Sequence, residues 1–166
     1  SLTLSVDTVR PTIAITSDAS SLKAGETTTV TFTLSEASSD FIEDDISVSG
    51  GLLSSFASSS STVYTATFTP TSDSTTDGVI SVASSKFSDS AGNENTDGSD
   101  SNNTLTLSVD TVRPTIAITS GASSLKAGET TTVTFTLSEA SSDFIEDDIS
   151  VSGGLLSSFS GSGTTY

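Results

Sequence analysis

An internal duplication with a period of 103 residues limits the folds open to this chain. Residues 2–56 return as residues 105–159, and Asp18 against Gly121 is the single difference between the two stretches. A unit of this length has the size of one β-sandwich domain, whereas solenoid repeats that must stack to be stable are much shorter. We therefore expect independently folded domains in tandem.

Large apolar residues alternate with threonine along the repeat, as in residues 29–34 and 64–69. This period of two is typical of half-buried strands with one face on a core and the other in water. The alternation and the turn signals predict seven strands in one repeat: 12–17, 27–35, 46–50, 52–56, 62–69, 79–88 and 104–109. Seven short strands in about 100 residues predict an all-β fold, an immunoglobulin-like β-sandwich.

The inward positions of these strands predict the core of the complete repeat. Its members are Ile13, Ile15, Val30, Phe32, Leu34, Ile46, Val48, Leu53, Phe56, Tyr64, Ala66, Phe68, Ile80, Val82, Leu105, Leu107 and Val109. A core of this size is enough for one domain without disulfides.

The domain bounds follow from a linker motif at residues 6–11 that returns at residues 109–114. We expect residues 1–10 to be the last strand and linker of an upstream repeat, and residues 11–113 to be one complete domain. Residues 114–166 are then the N-terminal half of a second, near-identical domain. Because half a sandwich cannot bury its inner face, we expect either a longer parent protein or strand exchange with another copy.

The charge balance excludes several functions. The chain has 5 Lys and Arg against 21 Asp and Glu, a net charge of -16, and neither Cys nor His. Triads built on His or Cys are therefore excluded within the chain, and no enzyme activity is expected. An acidic surface repels phosphate backbones and anionic lipid headgroups, so neither nucleic acid nor direct membrane contact is expected. Cations are the expected charged partners.

Acidic residues gather in three segments that share one pole of such a sandwich: the segment before the first strand, the loop after the second and the loop before the last. Carboxylates that converge there repel unless a cation neutralises them, and Ca2+ takes about 6–8 oxygen ligands. We therefore expect a calcium site at each domain junction. The predicted ligands of the first junction are Asp7, Glu36, Asp45, Asp89 and Asn93, with Asp44 as an alternate. Those of the second are Asp110, Glu139 and Asp148.

Two other interpretations of the acids stay open. They can be solvated surface charges that keep the protein soluble. Alternatively, the pattern Asn93-x-Asn95-x-Asp97-Gly98 matches the first half of an EF-hand calcium loop, although Thr104 stands where that loop has Glu. No helices are predicted around it, so the pattern is compatible with a calcium site in a loop but not with an EF-hand.

Six spaced motifs together resemble the bacterial immunoglobulin-like repeats of giant adhesins of the repeats-in-toxin class, which are exported by type I secretion. They lie at residues 6–12, 22–32, 35–37, 48–54, 64–70 and 89–93. The resemblance implies an extracellular, cell-surface extender. In such an extender, calcium stiffens the junctions between neighbouring repeats of the same chain, and the resulting rod projects a terminal adhesive domain.

Two competing functions remain at this point. One is a Ca2+-dependent module that binds a glycan or a protein through a loop of the sandwich. The other is a strand-exchanging subunit of a surface layer or an appendage. Near-identical repetition favours the extender, because a spacer gains length from each copy whereas a recognition site needs one.

Overall fold

A computed structural model describes every residue of the chain, from Ser1 to Tyr166. The chain divides into two units, Ser1–Val112 and Arg113–Tyr166. Its regular structure is all β apart from three helical turns of three residues each. None of the helical segments has the length and apolar character needed to cross a membrane.

The first unit contains eight strands. They are β1 Ile13–Ser17, β2 Ser21–Lys23, β3 Thr28–Leu34, β4 Ile46–Ser49, β5 Gly51–Ser58, β6 Val63–Pro70, β7 Gly78–Val82 and β8 Thr104–Asp110. Single 3-10 turns at Glu43–Asp45 and Ser101–Asn103 lead into β4 and β8.

The eight strands form two four-stranded sheets with the orders β1-β3-β6-β5 and β2-β8-β7-β4. All neighbours are antiparallel except β2 and β8, which pair in parallel from Ser21 and Ser108 onward. Buried side chains of both sheets belong to one core cluster, so the sheets pack face to face. This is the immunoglobulin-like β-sandwich that the alternation predicted.

The predicted core is confirmed, because each of its members is buried or partly buried against the central cluster. Leu22, Phe41 and Phe87 are also buried there and were not predicted. Phe41 lies in the loop after β3, and its ring centroid is 5.1–5.8 Å from those of four other aromatic residues. These partners are Phe32, Phe56, Tyr64 and Phe87. The loop aromatic therefore closes one end of the sandwich.

The predicted strand at residues 79–88 is too long, since β7 ends at Val82. Beyond it the chain turns away from the sheet: Ser85 has a φ of 60°, and its N–H donates to the carbonyl of Asn95 at 2.8 Å. Asn95 therefore forms hydrogen bonds with backbone groups that a longer strand would have paired with its neighbouring strand. The short strand β2 was not predicted, because three residues are too few to show a period.

The second unit contains β9 Ile116–Ser120, β10 Val133–Ser141 and β11 Gly163–Thr165, in the order β11-β10-β9. Leu137 stands opposite Ile116, as Leu34 stands opposite Ile13 in the first unit. A second aromatic cluster forms between Phe135, Phe144, Phe159 and Tyr166. All five residues of β9 are exposed, whereas β1 buries its two isoleucines.

Candidate metal centre

Three carboxylates from three separate segments of the first unit meet at one pole. Asp7 belongs to the leading segment, residues 1–10, while Glu36 follows β3 and Asp89 follows β7. Each offers an oxygen, and these atoms all lie within 4.8 Å of one another. Ionised carboxylates at this spacing repel each other, so the arrangement favours a cation or a proton between them.

Of the three carboxylates, Glu36 has the least favourable environment for its charged form. Its Oε1 atom is buried and has no hydrogen-bond partner, while buried polar atoms in folded proteins nearly always have one. Burial, and after it the charges of Asp7 and Asp89, raises the pKa of Glu36 above its usual range. When Glu36 is ionised, its buried Oε1 thus has no hydrogen-bond donor that would offset the negative charge.

Asp89 is only 7% exposed, yet it is well supplied with donors. Its Oδ1 accepts hydrogen bonds from the N–H groups of Ala91 and Asn93, and its Oδ2 accepts one from Asn93 Nδ2 at 2.8 Å. The Asn93 side-chain bond, helped by the backbone donors and against the effect of burial, lowers the pKa of Asp89. Asp89 therefore stays ionised and shapes the tight turn at residues 89–93.

The leading segment is attached to this turn by two long-range hydrogen bonds. Asn93 Nδ2 donates to the backbone carbonyl of Asp7 at 3.3 Å, and Arg10 Nη1 donates to the carbonyl of Glu94 at 3.0 Å. Asp7 also accepts the N–H of Val9 at 3.1 Å, which fixes its carboxylate near the backbone. Asn93 thereby contacts both Asp7 and Asp89.

Asp40 joins the loops that carry Glu36 and Asp89. Its two carboxylate oxygens accept from the N–H and the hydroxyl of Ser88, at 2.9 and 2.6 Å, and from the hydroxyl of Ser38 at 2.7 Å. Burial alone would raise the pKa of Asp40, but the hydrogen bonds from Ser88 and Ser38 outweigh it and lower the pKa. Tyr64 adds a bond from its hydroxyl to the Ser38 carbonyl at 2.8 Å.

Replacing this carboxylate (Asp40→Asn) is expected to lower the melting temperature by a few degrees at pH 7. The contribution of a carboxyl with a depressed folded pKa is present above its unfolded value of about 3.9 and is lost as the pH falls through the folded value. The difference between variant and wild type should therefore vanish near pH 2. Thermal unfolding followed by circular dichroism between pH 2 and pH 7 measures it.

The exposed Asp18 provides the control for Asp40, because its side chain makes no hydrogen bond and Asp18→Asn removes the same charge. That variant should melt like the wild type at both ends of the pH range. If Asp40→Asn lowers the melting temperature as much at pH 2 as at pH 7, the role assigned to the ionised carboxylate is wrong.

The other predicted ligands of the first junction lie outside the three-carboxylate group. Asp45 accepts the N–H of Ile42 at 2.9 Å and so caps the 3-10 turn Glu43–Asp45. Asp44 sits in the same turn with an exposed side chain. The turn directs both residues to local backbone or to solvent, and of the predicted residues only Asp7, Glu36 and Asp89, with Asn93 beside them, come together.

The predicted ligands of the second junction are distributed over both units. Asp110 ends β8 in the first unit and accepts the N–H of Val112 at 3.2 Å, as Asp7 accepts that of Val9. Glu139 lies in β10, and Asp148 caps the 3-10 turn Glu146–Asp148 by accepting the N–H of Ile145 at 3.0 Å. A site at this junction stays a prediction.

Asn95 and Asp97, the centre of the partial calcium-loop pattern, are buried and take part in the fold. Asn95 Oδ1 accepts the N–H of Lys86 at 2.8 Å, and its Nδ2 donates to the Ala83 carbonyl and to Asp97 Oδ1. Asp97 Oδ2 accepts the N–H of Ile13 at 2.7 Å. These bonds attach residues 83–97 to β1, so the two side chains do not form a loop site.

Sequence reasoning did not assign Asp40 or Arg10 a role at this pole. Asp40 follows Ser38 by two residues, a spacing that favours local side-chain turns, and this was the available signal. The bond from Arg10 to residue 94 carries no signal in the sequence.

A family model described as a bacterial Ig-like domain matches residues 7–106 and, again, residues 110–166. The two matches begin one repeat period apart and together span nearly the whole chain. A search of curated proteins found no match.

Proposed function

The chain belongs to the family of bacterial Ig-like domains, and from this premise we propose that it is an extender repeat of a bacterial cell-surface adhesin, stiffened by Ca2+ at its domain junctions. Domains of this family typically occur in surface or extracellular proteins, and their fold is structural and non-catalytic. The extender consists of neighbouring repeats of one chain that hold a terminal adhesive domain away from the cell.

The meeting of Asp7, Glu36 and Asp89 is the observation that supports this proposal. Two of these carboxylates belong to loops of the sandwich, and the third precedes its first strand. All three offer oxygen, the ligand type that Ca2+ prefers. The buried, unpartnered Oε1 of Glu36 is the atom with most to gain from a cation.

Asp7, Glu36 and Asp89 would hold the ion, and Asn93 orients Asp89 for it. A bound divalent cation supplies positive charge that offsets the mutual repulsion of the three carboxylates. Its consequence is mechanical: the leading segment, otherwise attached to the pole by the bonds of Asn93 and Arg10, becomes fixed to two loops of the domain.

Near-identity of the repeats extends the proposal along an array. Asp110, Glu139 and Asp148 stand one period after Asp7, Glu36 and Asp45. The following junction therefore offers the first two residue types at the same spacing, and each added repeat adds one more stiffened step. With a net charge of -16, the chain also loses self-repulsion when divalent ions bind.

Small-angle X-ray scattering tests the proposal on a chain of residues 1–113 followed by a second copy of residues 11–113. Raising Ca2+ from excess chelator is expected to increase the maximum dimension to that of a straight two-domain rod. Asp110→Asn, which alters the linker carboxylate between the two repeats, should abolish the change, whereas the exposed Asp18→Asn should not.

Isothermal titration calorimetry on the same samples reports binding itself. If Ca2+ neither binds nor changes the maximum dimension, the acids are only a coat of solubilising charge, and the extender loses its calcium-dependent stiffness. Binding without a change in dimension would likewise contradict the stiffening.

A further inference from the structure

Thr111, the first residue after β8, is buried although it belongs to the linker between the repeats. It is 4% exposed, whereas Asp110 before it and Val112 after it are exposed. Buried polar side chains nearly always have hydrogen-bond partners. Those of Thr111 show which part of the domain holds the linker.

The partners of Thr111 lie in the loop between β6 and β7. Its N–H donates to the carbonyl of Ser74 at 2.9 Å, and its hydroxyl donates to the carbonyl of Thr71 at 2.6 Å. The same hydroxyl accepts the N–H of Ser74 at 2.9 Å and lies 3.1 Å from the Ser74 carbonyl. One threonine therefore satisfies backbone groups at both of these loop residues.

The loop between β6 and β7 is itself held in place by the domain. The N–H of Thr71 donates to the carbonyl of Gly50 at 3.0 Å, which attaches the start of the loop to the turn between β4 and β5. Asp73 has a left-handed backbone with a φ of 52°, and the hydroxyl of Ser74 accepts the N–H of Thr76 at 3.0 Å. The buried threonine is thus attached to an ordered loop, and the chain stays part of the domain beyond the end of the sheet.

The same linker sequence also shows its contacts with the domain that follows it. Residues 6–11 have the same sequence as residues 109–114. At the earlier position, hydrogen bonds join Asp7 and Arg10 to the loop after β7, and the carboxylate of Asp7 belongs to the three-carboxylate group. The linker motif therefore carries a threonine that binds the domain before it, and an aspartate and an arginine that bind the domain after it.

We propose that Thr111 is the positioning residue of the junction. By binding the loop between β6 and β7, it makes the linker a rigid continuation of the preceding domain, so that a cation held by Asp110 joins two domains. Thr111 is not itself a ligand, because its hydroxyl is engaged by backbone groups. Only Val112 and Arg113 then separate this anchor from Pro114, which confines Arg113 to extended conformations. The inference rests on the proposed calcium site.

The physical reason is the number of free backbone torsions between the two domains. Each residue has two soft torsions, φ and ψ. If the hydroxyl of Thr111 is lost, the torsions of this residue join those of Val112 and Arg113, and the linker before the calcium-binding pole lengthens. The joint should then bend even when the cation is bound.

Hydrogen exchange followed by NMR on the full chain in excess chelator tests the anchor without calcium. In the wild type, the Ser74 N–H should exchange at least about tenfold more slowly than the N–H of Thr75, which makes no hydrogen bond. Thr111→Val keeps the shape of the side chain but removes the hydroxyl, so it should abolish this protection. Thr111→Ser should retain it. If the Ser74 N–H of the wild type is unprotected, the anchor does not exist and the proposal is wrong.

Calorimetry and small-angle X-ray scattering on the two-repeat chain described above test the consequence for the junction. Thr111→Val should bind Ca2+ with a Kd within about threefold of the wild type, since no ligand is removed. Its maximum dimension at saturating Ca2+ should nevertheless stay below that of the wild-type rod. Thr111→Ser should lengthen like the wild type. So should Thr106→Val, which makes the same substitution at an exposed position of β8.

The outcomes separate this inference from the calcium proposal. If the wild type neither binds Ca2+ nor lengthens, the stiffened extender fails and the role of Thr111 fails with it. If the wild type and Thr111→Val lengthen equally, only the role of Thr111 is wrong, even where thermal unfolding shows that the variant is less stable. Calcium binding weakened by more than about tenfold would place Thr111 in the metal site and likewise overturn its role as an anchor.

Discussion

Truncating Phe41 to alanine is expected to destabilise the first unit by about 3–5 kcal/mol, the usual loss for a buried phenylalanine. Phe41 is almost fully buried, and its ring contacts four aromatic side chains, so the variant leaves a cavity that its rigid neighbours cannot fill. A domain of this size has a total stability of about 5–15 kcal/mol. The melting temperature should therefore fall by roughly 10–25 °C.

Differential scanning calorimetry of the full chain measures the effect. The neighbouring Ile42 is exposed, so Ile42→Ala serves as the control and should change stability by less than about 0.5 kcal/mol. Phe144→Ala alters the equivalent position of the second unit, where the ring is only partly buried, and should have a smaller effect than Phe41→Ala. If Phe41→Ala is as mild as Ile42→Ala, the loop aromatic is not part of the core.

Glu36→Gln is expected to change stability in opposite directions with and without calcium. In excess chelator at pH 7 the variant should melt above the wild type, because it removes a carboxylate whose ionised form is disfavoured by burial and by Asp7 and Asp89. With Ca2+ at a hundredfold excess over its Kd, the wild type should gain about 2.7 kcal/mol. That corresponds to a rise in melting temperature on the order of 10 °C.

The variant should keep about half of that rise or less, because losing one charged ligand weakens calcium binding by roughly tenfold or more. The order of the two melting temperatures then reverses on adding Ca2+. Thermal unfolding of both proteins in chelator and in Ca2+ measures this, with the exposed Asp18→Asn as a charge-matched control that should follow the wild type throughout.

The pH dependence in chelator provides a separate check on the cause. Since the folded pKa of Glu36 is raised, the folded state holds this proton more tightly than the unfolded state does. The stability of the wild type therefore falls as the pH rises from the pKa of Glu36 in the unfolded state, about 4.3, through its pKa in the folded state. The advantage of Glu36→Gln should be absent at pH 3 and complete at pH 7. An advantage that is the same at pH 3 would contradict repulsion as its source.

The strands and most of the core could be predicted because their signal is local. From Val30 in β3 and from Tyr64 in β6, an apolar residue stands at every second position, and the structure buries these residues. Leu22, Phe41 and Phe87 escaped prediction because they lie in a three-residue strand or in loops, where no period operates and burial depends on distant contacts.

The candidate site, too, could be predicted only in part from the sequence. The collection of acids at one pole follows from the strand order, and Asp7, Glu36 and Asp89 do meet there. The choice among neighbouring acids does not follow from it. A helical turn diverts Asp45 to a backbone N–H, and Ser88 engages Asp40, because loop conformation decides where each carboxylate points.

The two copies separate local from tertiary causes most clearly. Residues 13–17 and 116–120 have the same sequence and form the same strand, and each pairs in the same register with an equivalent neighbour, β3 or β10. Local alternation and one neighbouring strand were therefore enough to determine secondary structure there. Burial differs at four of the five positions, since the first copy lies under a second sheet and the other does not. Residues 2–10 and 105–113 are also identical, yet only the second stretch contributes to a strand, because a β-strand needs a neighbour to satisfy its backbone hydrogen bonds.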